Sequence, residues 1–482
     1  MARSAIKPLK GTRDLYPEDA LVRRYITSAW RDAAIRCGFD EIEGPTIEPT
    51  ELYSIKSGEG ILNELFQVYS GKSAQEIEQV RDTGRAPGAL RPEFTPTLAR
   101  MYAAHARQLP RPCKWFTAGP YFRAERPQRG RLREFLQWNV DAIGLPGDDD
   151  TPESRAALDA ETIEPCALLL DTLGLAGDAL RIKVNDRAVM SEHLRSLGVA
   201  SDRMEQAFEL LDRREKLPAE TLAAQASEHG LPDRFTEMLT GSTAPDPGTT
   251  SLPVLRACAA LDLDAWTEFD ASIVRGLAYY TGTVFEAIAD GERAVAGGGR
   301  YDNLIELMGG PPTPAVGFAM GDVVLINLLR DHGLVPEGAR LMDALSRPPA
   351  SVRPDAFVVP NGDEDNEPRA TRLASTLRRG VEAADWLASD ARSPWDPDRY
   401  AVPPMHARVT YKSTRNLKKL RADAERQHAR FFVEIHAHDK VEITDMDRRE
   451  AITSDTHGSF SVDPGAPNAV GAELAARLER PR

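Results

Sequence analysis

The stretch Tyr121-Phe-Arg-Ala-Glu-Arg-Pro-Gln-Arg-Gly-Arg-Leu-Arg-Glu-Phe-Leu-Gln-Trp-Asn-Val-Asp141 decides how the rest of the chain is arranged. Although the protein as a whole is acidic, eleven residues of this stretch hold five arginines: Arg123, Arg126, Arg129, Arg131 and Arg133. Apolar residues stand before and after the run, and Pro127 and Gly130 provide turn chemistry within it. The sequence therefore predicts two strands joined by a long arginine loop.

Guanidinium groups suit phosphate because they are planar, always charged and offer paired donors. One interpretation of the loop is therefore a site for a polyphosphate substrate or for nucleic acid. The simpler interpretation is a solvated loop whose arginines pair with Glu125 and Glu134. Composition does not decide between the two.

Length and composition restrict the classes of protein that fit. A chain of 482 residues should hold two or three domains, and a net charge of -14 excludes a wholly basic surface but allows a local basic face. Four scattered cysteines form no CxxC pair, which fits a reducing cytosol better than a zinc knuckle or a disulfide framework. There is no apolar run of about 18 residues and no signal-peptide core, so we expect a cytoplasmic protein with no membrane segment.

The first 338 residues alternate helical and strand patterns. The spacing predicts a helix that begins at Pro17 and that Gly38 ends. It also predicts an edge or interface strand over 39–47 that contains Pro45, and a helix opened by Pro96. Residues 70–90 are predicted as a polar loop. Residues 186–252 form a polar, helical insertion with breaks near two prolines, and sheet patterns return over 271–288, 294–299 and 315–320.

The pattern of residues 339–482 predicts a linker and a second domain. Residues 339–353 contain two consecutive prolines and no aromatic residue, which suits a linker. From 354 to 482, strands and helices alternate as in a small α/β domain with some parallel pairing, interrupted by an irregular insertion over 385–405. The predicted division is 1–338, a linker over 339–353, and 354–482.

Polar residues inside predicted strands are candidates for chemistry. Arg275 would need a negative partner if buried, either a ligand or a structural salt bridge beside the core tyrosines Tyr279 and Tyr280. Gly297-Gly-Gly299 brings backbone close to a neighbour, and a plain tight turn is the simpler interpretation. The nine histidines show no metal spacing, and no nucleophile with a partner base indicates a covalent mechanism.

A basic cluster lies in the second predicted domain. Its members fall within ten residues: Lys412, Arg415, Lys418, Lys419 and Arg421. On a helix, residues three and four apart are surface neighbours, so the cluster could form a footprint for an RNA backbone. A solvated helix face explains the composition equally well.

Taken together, these segments resemble the histidyl-tRNA synthetases, a family of class II aminoacyl-tRNA synthetases. The resemblance covers nearly the whole chain. Class-level motifs are Lys10-Gly-Thr-Arg-Asp14, the Pro45 strand, Arg91-Pro-Glu-Phe-Thr95 and Phe122 to Gly144. Two stretches are specific to the histidine enzymes, Val274-Arg-Gly-Leu-Ala-Tyr-Tyr-Thr-Gly-Thr-Val-Phe-Glu286 and Gly297-Gly-Gly-Arg-Tyr-Asp302. Residues 354–482 resemble the family's anticodon-binding domain.

The resemblance implies an α+β fold: a six-stranded antiparallel catalytic sheet flanked by helices, in a homodimer. It implies a histidine–tRNA ligase that uses Mg²⁺ and works in two steps. L-histidine and ATP give histidyl-adenylate and pyrophosphate, and the histidyl group then passes to the 3′ end of tRNA(His). In this interpretation the cluster from Lys412 to Arg421 binds tRNA.

Site residues are carried over by motif match. For ATP the resemblance implies Arg123, Glu125, Arg131, Phe135 and Arg275. For histidine it implies Glu93, Thr95, Gln137, Asp141, Tyr279, Tyr280 and Tyr301. Arg123 and Arg275 would be the catalytic pair at the α-phosphate, Arg131 would hold the γ-phosphate side, and Glu125 and Phe135 the adenine. Glu93, Thr95 and Gln137 would bind the α-amino group. Asp141 and Tyr280 would bind the imidazole nitrogens, with Tyr279 and Tyr301 lining the pocket.

Three positions depart from the pattern. Val324 stands where many relatives carry an arginine that contacts ATP, Ala278 replaces a usual aspartate, and Ala124 replaces a common histidine. The alternative hypotheses are therefore a regulatory subunit of ATP phosphoribosyltransferase and a tRNA-binding protein that has lost adenylation. Residues 354–482 argue against the regulatory subunit, because such paralogues generally lack that domain.

Overall fold

A computed structural model describes residues 6–478 except 58–63, 148–149, 176, 178–179, 215–216, 242–251, 275–279, 290–293, 347–349, 362–365, 389–393, 395, 397, 413, 415, 437–439 and 453–468. We call residues 6–346 the N-terminal region and residues 350–478 the C-terminal region. Among the described residues, no helix combines the length and the apolarity that a membrane span requires.

The N-terminal region begins with a helix and a small sheet. Its first elements are α1 (Pro17–Arg36), β1 (Asp40–Glu41), β2 (Ile47–Pro49), α2 (Thr50–Ser57), β3 (Gln67–Val68), α3 (Ala74–Thr83), β4 (Gly88–Leu90) and α4 (Thr95–His105). Strands β2, β4 and β3 form a three-stranded sheet of their own.

The central sheet and a helical cluster follow. The elements are β5 (Cys113–Phe122), β6 (Glu134–Ile143), α5 (Pro152–Thr172), β7 (Arg181–Asp186), α6 (Arg187–Ser196), α7 (Met204–Asp212), α8 (Ala219–Glu228), α9 (Asp233–Thr240), α10 (Pro253–Ala260), β8 (Thr267–Phe269), β9 (Thr283–Ile288), β10 (Ala296–Arg300), α11 (Leu304–Leu307), β11 (Ala315–Gly321), α12 (Asp322–Asp331) and α13 (Ala339–Ser346).

Eight strands form the central sheet in the order β1-β5-β6-β11-β10-β9-β7-β8. The six inner strands pair antiparallel throughout. The short edge strands β1 and β8 pair in parallel with β5 and β7. The α+β class is confirmed, and the expected six-stranded antiparallel sheet is present with one short parallel strand added at each edge.

Alternate residues of β6 serve the two faces of the sheet, as strand geometry requires. Trp138 and Val140 face the main hydrophobic cluster, in which α1 and α5 cover the sheet and the Trp30 and Trp138 rings stack 6.2 Å apart. Asp141, three residues after Trp138, belongs to the other face, where α4 and α11 pack. This second face holds the candidate site.

The helical cluster from α6 to α9 agrees with the helical insertion that the sequence predicts. The predicted breaks are confirmed, because Pro218 and Pro232 are the residues immediately before α8 and α9. These helices share a hydrophobic cluster of their own around Phe208 and Phe235. Residues 339–353, which are predicted as a linker, contain α13, whose Leu341 is buried against the main cluster.

Two local predictions fail, and a third falls partly outside the described residues. The loop predicted over 70–90 contains α3, which Ser73 caps by accepting from the Glu76 N–H at 3.3 Å. The only large apolar residues of α3 are Ile77 and Val80, too few to mark a helix by apolar spacing, and no residue of α3 is buried. The strand predicted over 39–47 is split into β1 and β2 around Pro45. Of the sheet predicted over 271–288, only the end from Thr283 is a described strand.

The C-terminal region is a three-layer α/β unit. Its elements are β12 (Ala356–Pro360), α14 (Asn366–Arg379), β13 (Val381–Glu382), α15 (Ala384–Leu387), β14 (Tyr400–Val402), β15 (Ala407–Val409), α16 (Leu417–Arg426), β16 (Phe431–Ile435), β17 (Val441–Asp445), β18 (Glu450–Ile452) and α17 (Ala469–Arg477). The predicted parallel pairing is confirmed, since β12 pairs in parallel with β15 and β16, while β17 and β18 add antiparallel strands.

Buried ion pairs join the two regions. Arg378 Nη1 of α14 lies 2.5 Å from Glu164 Oε2 of α5. Nearby, Lys114 Nζ contacts Glu161 Oε2 at 3.0 Å, and the Tyr411 hydroxyl donates to the same oxygen at 2.5 Å. Because Lys114 lies in β5, this network reaches from the C-terminal region to the strand that leads into the arginine loop.

Candidate active site

A row of residues across three central strands forms the floor of the candidate site. Asp141 of β6 stands opposite Gly317 of β11, which stands opposite Gly299 of β10. A Cβ at position 317 would overlap the Asp141 carboxylate, and one at 299 would come within 2.9 Å of the Tyr280 ring. The two glycines therefore leave room for a buried carboxylate and an aromatic side chain on the same face.

A tyrosine completes this row. The Tyr301 hydroxyl donates to Asp141 Oδ1 at 2.5 Å, and both residues are buried. The preceding Arg300 forms a buried ion pair with Asp159 at 2.5 Å, and the Tyr301 N–H donates to Ala315 O at 2.8 Å. These contacts fix the backbone, so the hydroxyl of Tyr301 has a defined position above the floor.

A chain of hydrogen bonds runs along the same face of β6. Gln137 Nε2 donates to Asn139 Oδ1 at 2.8 Å, and Asn139 Nδ2 donates to the Tyr121 hydroxyl at 3.1 Å. Burial raises the pKa of Tyr121 well above its ordinary value, and the nearby Asp141 adds to the effect. The phenol of Tyr121 therefore stays protonated.

Arg91 is a structural anchor that the sequence did not identify. Its side chain is buried, and it donates to Pro120 O at 2.9 Å and to Gly44 O at 3.0 Å. Its guanidinium also lies 4.7 Å from the centre of the Tyr121 ring. These contacts hold the segment that presents Glu93 and begins α4 at Thr95, beside the chain of hydrogen bonds on β6.

The arginine loop closes one side of the site. Arg123 donates from Nε to Pro92 O at 3.2 Å, and its guanidinium lies 5.2 Å from the centre of the Phe135 ring. Arg131 Nη1 contacts Glu125 Oε2 at 2.7 Å. The structure therefore brings together four of the predicted ATP residues in two pairs, Arg123 with Phe135 and Arg131 with Glu125. The second pair is an arginine–glutamate pair of the kind expected if the loop is simply solvated.

Glu64 is a second residue that the sequence did not identify. Its carbonyl oxygen accepts from the Ala124 N–H at 2.8 Å, which ties it to the arginine loop. Burial raises the pKa of the Glu64 carboxyl, Glu125 adds to the rise, and Arg123 opposes it. The sequence gave no indication of this contact, because it depends on the folded loop.

The residues before α1 contact the start of α12 behind the arginine loop. Arg13 forms an ion pair with Asp322, whose Oδ1 accepts from the Leu136 N–H at 2.9 Å. Burial raises the pKa of Asp322, and Arg13 opposes the rise. Gly11 O accepts from the Arg133 N–H at 2.8 Å, so the end of the loop that leads into β6 is held by two contacts.

Comparison with known proteins identifies the family. Residues 11–322 match the family model described as histidyl-tRNA synthetase. The chain belongs to the histidyl-tRNA synthetase family. A histidine–tRNA ligase of Opitutus terrae is 38% identical over 366 residues, which are 70% of this chain and 78% of that protein. One of Haloarcula marismortui is 37% identical over 391 residues, 77% of this chain and 82% of that protein.

Solved structures of the family agree in fold. The histidyl-tRNA synthetase of Nostoc sp. PCC 7120 has a TM-score of 0.55 at 19% identity and covers 99% of this chain and 100% of its own. A structure from Bacillus halodurans, described as an ATP phosphoribosyltransferase regulatory subunit/histidyl-tRNA synthetase, has a TM-score of 0.53 at 19% identity over 85% of this chain and 100% of its own. At these identities the likeness concerns the fold alone.

Some residues carried over from the family lie outside the described residues. They are Arg275, Tyr279 and Arg415, together with the departure at Ala278. Of the other departures, Val324 packs partly buried against the main hydrophobic cluster, and Ala124 makes the backbone contact to Glu64.

The predicted tRNA residues divide into paired and exposed side chains. Lys412 contacts Asp423 at 3.2 Å, and Arg421 contacts Glu434 at 3.1 Å. Lys418 and Lys419 are exposed on α16. These four described members of the cluster therefore do not form one patch of unpaired charge.

Proposed function

We propose that this protein joins L-histidine to tRNA(His) by way of histidyl-adenylate. The proposal is supported by membership of the family and by relatives named histidine–tRNA ligase at 37–38% identity. The single observation that carries it is the Asp141–Tyr301 hydrogen bond above a floor cleared by Gly299 and Gly317. A buried carboxylate that already accepts from a phenol suits an imidazole N–H.

Selection of histidine rests on the two ring nitrogens. Asp141 accepts from one ring N–H, Tyr280 contacts the other nitrogen, and Tyr279 and Tyr301 line the pocket. Gln137, Glu93 and Thr95 bind the α-amino group. An amino acid without these ring nitrogens leaves buried polar atoms unpaired, which corresponds to a discrimination of about 10⁴–10⁵.

Adenylate formation requires no protein nucleophile. The histidine carboxylate attacks the α-phosphorus of ATP, a new carboxyl–phosphate bond forms, and pyrophosphate leaves with the electrons of the α–β bond. Arg123 stabilises the charge that develops on the α-phosphate, and Arg275 joins it there. Positioned cations of this kind act chiefly by electrostatic stabilisation of the transition state.

The contacts of Arg131 and Glu125 indicate how ATP would enter. Both are assigned to ATP, Arg131 to the γ-phosphate side and Glu125 to the adenine, yet each is the other's partner at 2.7 Å. Incoming phosphate would replace Glu125 on Arg131, and the adenine amino group would replace Arg131 on Glu125. Phe135, held beside Arg123, provides the ring on which the adenine stacks.

The carboxylates of the site fit a magnesium ion. Magnesium takes oxygen ligands and is usually held by one or two carboxylates together with substrate phosphates. Glu64 accepts through its carbonyl oxygen from Ala124, the residue before Glu125, and the charge of Glu125 raises the pKa of the Glu64 carboxyl. Glu64 would hold the ion. When bound, magnesium neutralises charge on the β- and γ-phosphate oxygens.

We propose that transfer of the histidyl group to tRNA uses two domains, one for catalysis and one for binding the tRNA. Residues 1–338, with the helical insertion over about 186–252, form the catalytic domain. Residues 339–353 connect it to an anticodon-binding domain over 354–482. The basic cluster from Lys412 to Arg421 would contact the tRNA backbone, with Arg421 exchanging Glu434 for phosphate.

We also propose a cytoplasmic homodimer. Support comes from β2, an edge strand of the three-stranded sheet on which Ile47 is 52% exposed. An exposed apolar side chain on an unpaired strand edge suits pairing with a second copy. Light scattering of the purified protein should give twice the chain mass, and a monomer at micromolar concentration would refute the dimer.

The decisive experiment is ATP–pyrophosphate exchange with each of the twenty amino acids and no tRNA. Exchange with histidine alone would establish adenylation and show that Val324 is tolerated. Asp141→Asn should abolish exchange with histidine, whereas Asp202→Asn, at an exposed site on the helical cluster, should leave it unchanged. Silence with all twenty amino acids from folded protein would refute the ligase and favour the regulatory or tRNA-binding paralogue.

A further inference from the structure

Three potential metal ligands meet on a hairpin of the C-terminal region. Strands β16 and β17 pair so that Glu434 stands directly opposite Glu442. His436 lies two residues after Glu434, and its backbone N–H donates to the carbonyl oxygen of Lys440 at 2.8 Å. One possible ligand atom from each of Glu434, His436 and Glu442 lies within 4.8 Å of the others. We call these three residues the hairpin triad.

The hairpin triad concentrates negative charge. Like charges directly opposite each other in a β-ladder are destabilising, so two facing carboxylates require compensation. Arg421 donates to Glu434 Oε1 at 3.1 Å, and Lys440 donates to Glu442 Oε1 at 2.7 Å. Both ion pairs use Oε1, and each carboxylate retains a second oxygen for another cation.

The imidazole provides an independent observation. His436 Nε2 is shielded from solvent and has no hydrogen-bond partner among the described residues. It lies 3.6 Å from Glu442 Oε2, which is too long for a good hydrogen bond. Ligands about 2.1 Å from a tetrahedral zinc ion lie roughly 3.4 Å from one another, so the two atoms are spaced as ligands of one ion.

We propose that the hairpin triad binds one divalent transition-metal ion of the zinc class, with water as the fourth ligand. One imidazole and two carboxylates are a donor set that zinc accepts, whereas magnesium and calcium prefer oxygen alone. The site lies in the C-terminal region, apart from the arginine loop, and is independent of the magnesium that accompanies ATP.

Asn361 would support the ion from the other side of the ring. Its side-chain amide lies 3.0 Å from His436 Nδ1. With the amide oxygen turned to the ring, Asn361 accepts the Nδ1–H and leaves the Nε2 lone pair free for the metal. Contacts of this kind fix the tautomer and orientation of metal-binding histidines.

The sequence gave no indication of this site, because the nine histidines show no metal spacing. His436 is separated from Glu442 by the turn of the hairpin, and only the register of β16 and β17 aligns them. Thiols are not competitors, because all four cysteines are buried. Burial raises the pKa of Cys113, Cys166 and Cys258 to about 12, so their metal-binding thiolate forms are scarce.

Calorimetric titration of the full chain with Zn²⁺, after chelator treatment, tests the proposal. We expect one ion per chain and a loss of affinity of at least about 10-fold in His436→Ala and in Glu442→Gln, since each removes a ligand. The control is His428→Asn, an exposed histidine of the same region whose φ of +56° asparagine tolerates.

Co²⁺ provides a second measurement, because a tetrahedral nitrogen–oxygen site gives it intense visible absorption. That absorption should be present in the unmodified chain and in His428→Asn, and lost in His436→Ala. Failure of Zn²⁺ to bind the unmodified chain, or equal affinity in His436→Ala, would overturn the proposal. Because exchange with histidine does not involve this hairpin, the outcome is separable from that of the adenylation experiment.

Discussion

Two arginine–glutamate pairs with nearly the same geometry sit in opposite surroundings. At the boundary between regions, Arg378 lies 2.5 Å from Glu164, and each side chain is 2% exposed. In the arginine loop, Arg131 lies 2.7 Å from Glu125, with exposures of 49% and 24%. The distances are almost equal, so solvent access is what distinguishes the two pairs.

Solvent access decides what each pair can do. A half-exposed pair contributes little because water replaces each partner readily, and phosphate can displace the carboxylate from the guanidinium. A buried pair is held together because separation leaves a charge without solvent or partner. We infer that the boundary pair fixes the orientation of the two regions, while the loop pair is built to exchange.

The buried network also includes charges of β5. Burial lowers the pKa of Lys114, and the charge of Glu161 opposes that effect. Burial raises the pKa of Glu161, yet the charges of Lys114 and Arg378 hold that pKa below its ordinary value. Because β5 runs from Cys113 to Phe122, it links this fixed boundary to the exchangeable loop.

The largest expected effect is at the boundary. Arg378→Met leaves Glu164 buried without its partner and should lower the free energy of unfolding by about 3–5 kcal/mol. Denaturant unfolding followed by circular dichroism measures the change.

Its neighbour provides a matched control. Arg379 pairs with Asp262 at 2.7 Å but is partly exposed, so Arg379→Met should change stability by less than about 1 kcal/mol. Converting both boundary partners, as Arg378→Met with Glu164→Leu, should restore most of the loss, because no unpaired charge then remains. Equal losses in the Arg378 and Arg379 variants would remove the contrast between buried and exposed pairs.

In the arginine loop, substitution of Arg123 should greatly reduce the rate of exchange and change the free energy of unfolding little. Arg123→Ala removes a cation from the α-phosphate and should reduce histidine-dependent exchange by about 10²–10³-fold, equivalent to about 2.7–4 kcal/mol. Exchange kinetics and thermal unfolding of the same sample separate the two quantities. Arg107→Ala, at an exposed arginine just beyond α4, is the control and should retain full exchange. An Arg123 variant that loses activity only by unfolding would contradict the assigned role.

The same contrast explains what the sequence could predict. The strands around the arginine loop were predicted because turn residues and apolar runs are local features. Assignment of β6 residues to faces was harder, because Phe135 packs on the same face as the polar row while Trp138 and Val140 enter the main core. Helix α3 was missed because it buries no side chain.

Long-range pairs were beyond the sequence for a physical reason. Arg13 and Asp322 are 309 residues apart, and Arg378 and Glu164 are 214 apart. A charge pattern does not identify its partner at such separations, because any of the 74 acidic residues is a candidate. Asp141 was indicated as a site residue only through the family resemblance, and the strand pattern over 315–320 did not indicate that Gly317 makes room for it.

A smaller effect should come from pH at the boundary. His406 Nδ1 donates to Ser351 O at 2.8 Å, and Nε2 accepts from Arg408, which reaches Asp40 of the N-terminal region. Burial, with Arg408 beside it, lowers the pKa of His406 to about 3. The unfolded chain takes up the proton near pH 6.5 and the folded chain does not, so stability is full above that pH and falls as the pH drops towards 3.

The expected loss from this histidine between pH 7.5 and 5.5 is about 1.4 kcal/mol. A glutamine at this position does not titrate. Over the same pH range His406→Gln should therefore lose about 1.4 kcal/mol less stability than the unmodified chain. Unfolding of both proteins at the two pH values measures the difference. An identical pH dependence would show that His406 does not respond as its burial requires.

The smallest effect on stability should come from the loop pair itself. Glu125→Gln removes one charge from a half-exposed pair and should change the free energy of unfolding by less than about 1 kcal/mol. The same substitution at Glu164 leaves Arg378 buried without its partner and should cost about 3–5 kcal/mol. In Glu125→Gln the KM for ATP in the exchange reaction should rise, because the carboxylate that receives the adenine amino group is lost. If both substitutions destabilise the fold equally, the loop pair is structural and the proposed exchange of Glu125 for phosphate is wrong.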